Sequence, residues 1–246
     1  MKKVLSFVAL VAMLAFVSCQ KPANNTKPSG GNNDGSEQQQ GGDGQYKAPI
    51  AIDGDFSDWA AIDASKLVVA KNSDAATHPA LKVMKVYADA LYVYVYFEWD
   101  DEYIEDKSEV PVHFYINTDG DAATGGFADQ FTDACSDLMT EGMIFSEGEL
   151  ISYDPGLFKW EGEVNGSGWD YCWTDLDPVN GFIAGEGAGN KFEVSFMREL
   201  NPMGDWADTF SIGMDIQQSW DSVGILPNAD GENAASLTVT VNKLTL

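Results

Sequence analysis

The chain has 246 residues, of which 44% are hydrophobic and 12% aromatic, enough for one domain with a sizeable core and additional segments. It carries 14 Lys and Arg against 39 Asp and Glu, a formal charge of −25. This charge disfavours nucleic acid and anionic lipid headgroups as partners, because both bind through Lys and Arg. Divalent cations and neutral ligands such as sugars stay compatible with it.

The N-terminus predicts an export signal over residues 1–18. The basic residues "MKK" precede the apolar run "VLSFVALVAMLAFV", which is too short to span a bilayer in a mature protein. The following "FVSCQ" resembles the cleavage site of bacterial lipoproteins, which implies that Cys19 becomes the lipidated first residue. Its acyl chains would anchor the protein stably in a membrane. The alternative is an ordinary secreted protein that is cleaved nearby.

Residues 19–45 predict a flexible polar tether behind that cysteine. From Gln20 to Gln45 no apolar residue is larger than Ala or Pro, so this stretch cannot bury enough surface to become ordered. A flexible chain of this length reaches about 28 Å. We expect the folded domain, residues 46–246, to lie close to a membrane.

The domain itself shows a two-residue hydrophobic period. "VPVHFYIN", "FEVSF", "FSIGMDI" and "SLTVTVNKL" all alternate, and turn sequences such as "TDGD" and "NADG" separate them. The pattern predicts an all-β fold, an antiparallel β-sandwich whose strands each have one buried face, with short helical turns at most. Pro111 is expected at a sheet edge or a bulge.

The strand "LYVYVYFEWD" is apolar or aromatic on both faces. Val93, Val95 and Phe97 alternate with tyrosines at positions 92, 94 and 96. Either it is a central strand covered on both sides, or its tyrosine face is a binding platform.

The turn "INTDGDAATGG" places Asn117, Asp119 and Asp121 at alternate positions. An EF-hand starting at Asn117 would need Gly at 122 and Glu at 128, and both positions hold Ala. A different calcium site remains open, with Asp129 completing the oxygen ligands. The alternative is a polar turn in which the aspartates accept hydrogen bonds from their own backbone.

Cys135 and Cys172 are the remaining cysteines of the mature chain. In an oxidising compartment they can pair as a disulfide, and the alternative is two buried thiols. Neither shows the His and Asn or Asp pattern of a catalytic nucleophile.

Catalysis has little support in the sequence. His78 and His113 lack the spacing of a hydrolytic triad or a zinc site. A glycosidase pair would require two acids at a set separation, which the sequence does not define. Five glutamates are concentrated in one region: Glu141, Glu147, Glu149, Glu161 and Glu163.

Three stretches resemble one family. "IAIDGDFSDWAAI", "KVYADALYVYVYFEWD" and "FYINTDGDAATGG" are similar to the opening motif, the following strand pair and the next strand and loop of family 9 carbohydrate-binding modules and DOMON-like domains. "SWDSVGILPN" stands where such domains carry their last loop. The resemblance implies a sandwich with structural metal sites, in which Trp59 belongs to the core.

In that family a pair of aromatic rings binds the sugar, because flat indoles stack on apolar sugar faces. Trp169 and Trp220 are the candidates here. Together with the signal and tether, the domain resembles outer-membrane surface lipoproteins of glycan-foraging bacteria of the Bacteroides type. We therefore expect a non-catalytic, lipid-anchored protein that binds oligo- or polysaccharide and structural calcium. The alternatives are a protein-interaction subunit of an envelope complex and, less favoured, a glycan-active enzyme.

Overall fold

A computed structural model describes most of the domain, and the predicted signal, Cys19 and the tether lie outside the described residues. The described ranges are 46–72, 76–129, 131, 134–169, 172–228 and 236–243.

Within these ranges the fold is all-β and antiparallel, as predicted. The strands are β1 Val68–Lys71, β2 Leu81–Ala88, β3 Tyr92–Trp99, β4 Pro111–Asn117, β5 Leu138–Met143, β6 Phe145–Ser146, β7 Glu149–Leu150, β8 Gly156–Trp160, β9 Trp173–Leu176, β10 Ile183–Ala188, β11 Lys191–Met197, β12 Thr209–Gln218, β13 Asp221–Leu226 and β14 Leu237–Thr240. Helical structure is limited to α1 Ser57–Ala61 and to 3-10 turns at Ala64–Lys66, Asp101–Tyr103 and Arg198–Leu200. None of the helices in the described ranges has the length and apolarity needed to cross a bilayer.

Two sheets form the sandwich. The first sheet has the strand order β1-β2-β3-β11-β10, and the second sheet has the order β13-β12-β4-β5-β8-β9 with β14 also paired to β12. The strands β6 and β7 make a separate small hairpin.

The core lies between the two sheets. Phe114 of the second sheet makes edge-to-face contacts with Phe97 and Phe196 of the first, at centroid distances of 6.2 and 5.5 Å. All three side chains have no exposed surface. Each buried aromatic ring contributes roughly 1.5–3 kcal/mol through removal of apolar surface from water.

The outer face of the first sheet is sealed by residues 46–62. Ile50 and Trp59 from this N-terminal segment pack on Tyr94 and Tyr96 of β3. The strand "LYVYVYF" is therefore central and covered on both sides, the first of the two predicted alternatives. The tyrosine face is packing and not an open platform.

The outer face of the second sheet is only partly covered. Phe127 and Phe131, from the connection between β4 and β5, pack on Tyr115. Every residue of β4 is consequently buried, so the prediction of a single buried face is wrong for this strand. Pro111 is also not at an edge: it is the first residue of β4, which lies between β12 and β5, where its missing N–H is tolerated.

The prediction of a single buried face is also wrong for β11, for a different reason. Its outward residues Glu193 and Ser195 are buried beneath the first sheet's covering segment. By contrast, β14 alternates as predicted, with Val239 buried between exposed Thr238 and Thr240.

Candidate functional site

A row of polar side chains crosses the outer face of the second sheet. The strand register places Asp215 of β12 opposite His113 of β4, and His113 opposite Glu141 of β5. Because side chains alternate between the faces of a strand, this row points away from Val112 and Phe114, which lie in the core. Antiparallel pairing thus assembles residues that are far apart in the sequence.

His113 forms the buried centre of this row. Its side chain is fully buried, and its Nε2 lies 2.9 Å from Oε2 of Glu141. An ionised carboxylate can only accept a hydrogen bond, so Nε2 carries the proton and donates it. The imidazole also stacks on Tyr115, the next residue on the same face, at 5.9 Å.

Asp215 fixes the other side of the row. Its Oδ2 accepts hydrogen bonds from Gln217 Nε2 and from Ser222 Oγ, both at 2.7 Å. Asp215 itself is fully buried, so these bonds hold the Gln217 amide in place beside His113.

Trp220 lies at the tip of the hairpin between β12 and β13. The two loop residues, Ser219 and Trp220, have φ angles of 52° and 69°, in the left-handed region. Such a turn normally uses Asn and Gly, since other residues are strained there by roughly 1–2 kcal/mol each. Trp220 Nε1 donates to Glu109 Oε1 at 2.6 Å, and the Ser219 amide donates to the Glu109 carbonyl at 3.0 Å. A strained turn therefore presents an indole that is half exposed.

Trp169 stands on the aromatic cluster of the same face. Its ring meets His113, Phe127 and Tyr115 edge to face, at 5.6, 5.0 and 6.5 Å. The preceding residue is fixed, because the Gly168 amide donates to Asp129 Oδ2 at 2.9 Å. These contacts orient Trp169 while leaving 41% of it exposed.

These side chains enclose one cavity of about 310 Å³, within the size range of small-molecule sites. It is lined by His113, Glu141, Trp169, Gln217 and Trp220. The two tryptophans predicted to bind sugar both line this cavity, although 51 positions separate them in the sequence. The other five tryptophans of the chain are buried or partly buried.

The sequence did not indicate His113 or Gln217 as members of a site, and it placed Glu141 only among five glutamates considered for a glycosidase pair. The alternation of "VPVHFYIN" does place His113 on the face opposite the core residues, and this was the available signal. Glu141 and Gln217 gave no such signal, because their proximity depends on strand register across long connections.

The electrostatics of this face are negative. Burial raises the pKa of Tyr115 well above its usual range, and the carboxylates of Asp215 and Glu141 raise it further. Glu141 remains in contact with solvent, with 27% of its side chain exposed. The cavity therefore offers an accessible carboxylate between two indoles.

The predicted calcium ligands lie in two places. Asp119 Oδ1 accepts from the Asp121 amide and Asp121 Oδ1 from the Ala123 amide, both at 2.8 Å, as in the polar-turn alternative. Asn117 is buried, its Nδ2 lies 3.4 Å from the Asp121 carbonyl oxygen, and its Oδ1 has no hydrogen-bond partner among the described residues. Asp129 instead holds the Trp169 loop.

Within the described ranges, no group of three or more His, Cys, Asp or Glu side chains is arranged to hold a metal. The acid that does approach the turn is Asp137, which the sequence did not single out. It accepts from the amide and hydroxyl of Thr118, both at 2.8 Å. Burial raises the pKa of Asp137, and the nearby Asp119 carboxylate adds to this rise.

The cysteines are not joined in this structure. Cys135 Sγ lies 3.4 Å from the Ala122 carbonyl oxygen, while Cys172 Sγ lies 4.0 Å from that of Ser167. Cys135 Sγ also lies 3.9 Å from Asn165 Oδ1, so both sulfurs are beside the loop that holds Asn165 and Ser167, yet no bond joins them. The thiol alternative holds with one correction, since Cys172 is only partly buried.

A larger cavity of about 480 Å³ lies beside Arg198. The Arg198 guanidinium donates to the carbonyl oxygens of Asp89, Ala90, Trp206 and Ala207 and to the Asp208 carboxylate, at 2.7–3.1 Å. These hydrogen bonds of the guanidinium join two loops, so we assign the region a structural role.

No family model matches the chain, and no curated protein matches it.

Proposed function

We propose that the cavity between Trp169 and Trp220 binds carbohydrate, in a non-catalytic lipoprotein of the outer membrane. The observation that carries the proposal is that the two most exposed tryptophans share a single cavity with the partly exposed Glu141. The lipoprotein-like N-terminus and the resemblance to family 9 modules support the same function. The anchor and tether would hold the domain near the cell surface.

The chemistry of the lining suits a sugar. Indoles stack on the apolar faces of pyranose rings, and fixed polar groups accept hydrogen bonds from the hydroxyls around the ring edge. Trp169 and Trp220 supply the rings, and Glu141 supplies a charged acceptor, which forms stronger hydrogen bonds than a neutral one.

The strained hairpin is a second line of support. A turn with two left-handed residues is most stable with Asn and Gly, yet this turn holds Ser219 and Trp220. Strain of this kind persists where the surrounding structure holds it and is found at binding sites. We interpret the turn as a device that presents the Trp220 ring.

A hydrolytic role is the less favoured alternative. Glycoside hydrolysis uses two carboxyl groups on either side of the scissile bond. Among the described residues, Glu141 is the one acid that lines the cavity, and it is tied to buried His113. Glu161, another glutamate of that region, accepts from Thr174 at 2.8 Å instead.

We also propose that the turn after β4 binds a structural calcium ion. The buried, unpartnered Oδ1 of Asn117 is the supporting observation. An amide oxygen, together with the Asp119 and Asp121 carboxylates of the same turn, is a ligand set of the kind that calcium prefers.

The test of the carbohydrate proposal is binding of the full chain, in detergent, to a panel of soluble polysaccharides by affinity electrophoresis. We expect retention by at least one glycan, and loss of retention in Trp169→Ala and in Trp220→Ala. The matched control is Tyr103→Ala, which removes an aromatic ring that is 39% exposed but does not line the cavity.

Two outcomes would contradict the proposal. One is the absence of retention by every glycan of a broad panel. The other is retention that survives in both tryptophan variants. Co-purification of a stoichiometric protein partner from membranes, without any glycan signal, would favour the envelope-subunit alternative.

A further inference from the structure

Three hydrogen-bond donors around the cavity are each bound to a carboxylate of the protein. His113 Nε2 donates to Glu141, Gln217 Nε2 donates to Asp215, and Trp220 Nε1 donates to Glu109. In all three pairs the acceptor is a carboxylate, at 2.6–2.9 Å. A ligand therefore finds these donors occupied.

The lining also offers acceptors and aromatic rings. Glu141 has a second carboxylate oxygen, its side chain is 27% exposed, and no Lys or Arg lines the cavity in the described part of the chain. The indoles of Trp169 and Trp220 line the same cavity, and the faces of their π systems are negative. Both kinds of group attract a cation.

The surrounding charge has the same sign. Asp215 and Glu109 are each one hydrogen bond from a lining residue, and the chain as a whole carries a formal charge of −25. Close charges of one sign with low-dielectric walls concentrate counter-ions in a cleft. An anionic ligand would meet repulsion without a compensating cation.

We infer that the sugar bound in this cavity carries a protonated amino group, as in an unacetylated hexosamine. This inference rests on the proposed carbohydrate function and narrows its substrate class. An ammonium group is a donor without acceptor capacity, so it matches the partly exposed carboxylate of Glu141. It also binds over indole faces, most strongly when partly desolvated. Sugars with carboxylate or sulfate groups are excluded.

The inference is tested by calorimetric titration of the full chain with four oligosaccharides of equal length. They are oligomers of glucosamine, N-acetylglucosamine, glucose and galacturonic acid, measured at a pH where the free amine is protonated. We expect the glucosamine oligomer to bind about tenfold more tightly than the glucose and N-acetylglucosamine oligomers. No binding of the galacturonic acid oligomer is expected.

The variant Glu141→Gln removes the exposed charge and keeps an acceptor for His113. It should abolish the preference for glucosamine, because the affinity for the glucosamine oligomer falls about tenfold while that for the glucose oligomer, which loses a charged acceptor but keeps its stacking on the indoles, falls less. The control is Glu149→Gln, which removes an equal charge from an exposed position outside the cavity. The control should bind as the wild type does.

A second measurement uses the wild type alone. The glucosamine preference should narrow at high ionic strength, because salt screens partly exposed charges while stacking persists. This readout stays valid if the Glu141 variant fails to fold.

The outcomes separate the inference from the function on which it rests. Equal binding of the glucose and glucosamine oligomers, or binding of the galacturonic acid oligomer, would overturn the inference and leave carbohydrate binding intact. No binding of any oligosaccharide would overturn both. Binding of free choline as tight as that of the glucosamine oligomer would also overturn both, because the sugar ring would then contribute nothing.

Discussion

The outer face of each sheet holds a carboxylate and an indole. These side chains are buried on the first sheet and partly exposed on the second. On the first sheet, Glu193 is fully buried and accepts hydrogen bonds from Trp59 Nε1 and from the amides of Asp53 and Gly54, at 2.9–3.1 Å. On the second sheet, Glu141 accepts from His113 and stays partly exposed beside Trp169.

The difference comes from the segments that cover the faces. Residues 46–62 close the first face. They supply the Trp59 indole and the backbone amides that donate hydrogen bonds to Glu193. The connection after β4 covers the second face with Phe127 and Phe131 but leaves a gap, and Trp169 and Trp220 border it. Similar side chains are thus packing on one face and a candidate binding site on the other.

The largest expected effect is on the sealed face. Trp59 is 4% exposed, so Trp59→Ala should lower the free energy of unfolding by about 3–5 kcal/mol through lost burial and an unfilled cavity. Trp169→Ala should cost about 1 kcal/mol or less, because much of that ring already contacts water. Urea unfolding followed by circular dichroism measures both. Equal losses would contradict the comparison.

Replacing the buried carboxylate should likewise lower the free energy of unfolding more than replacing the partly exposed one. Glu193→Ala leaves three N–H groups without their acceptor, and we expect a loss of about 2–3 kcal/mol. Glu141→Gln keeps an acceptor for His113 and should change the free energy of unfolding by less than about 0.5 kcal/mol. The same unfolding experiment applies. A stable Glu193 variant would show that the N-terminal segment is not held by this carboxylate.

Calcium should affect the two sheets differently, because the proposed calcium site is the turn after β4, in the second sheet. At tenfold saturation the ion adds about 1.4 kcal/mol, or roughly 3–6 °C in melting temperature for a domain of this size. Chelation should remove this increment in the wild type and have no effect in Asp119→Ala. Asp106→Ala, at an exposed aspartate of another turn, should respond like the wild type. An unchanged wild-type melt on chelation would rule out the calcium site.

The smallest expected effect is on stability at the hairpin between β12 and β13, where substitutions should change stability and glycan binding independently. Trp220→Gly relieves a left-handed φ and should stabilise the fold by about 1 kcal/mol while abolishing glycan retention. Ser219→Gly should bring a similar gain and keep binding, because the indole remains. Thermal melting and affinity electrophoresis of both variants measure this. A destabilised Trp220→Gly would mean that the ring packs and is not presented.

Much of the fold could be predicted because alternation is a local property. Phe114 and Ile116, for example, read as core residues directly from "VPVHFYIN". The burial of the opposite face could not be predicted, since Phe127 and Phe131 cover Tyr115 from a connection without a regular pattern. Spacing along the chain predicts Asp129 as a calcium ligand, and it gives no sign of the hydrogen bond that Asp129 accepts from Gly168, 39 positions away.

The sequence by itself determined the all-β class, because the hydrophobic period is carried by neighbouring positions. It left the tyrosine-rich strand as either a central strand or a binding platform, and covering by residues 46–62 decided for the first. Only the tertiary structure decided that Trp169 and Trp220 share a cavity with Glu141, and that Glu193 does not form such a site. The physical reason is register: antiparallel pairing places distant residues opposite each other, and the covering segments then determine which of those rows water and ligands can reach.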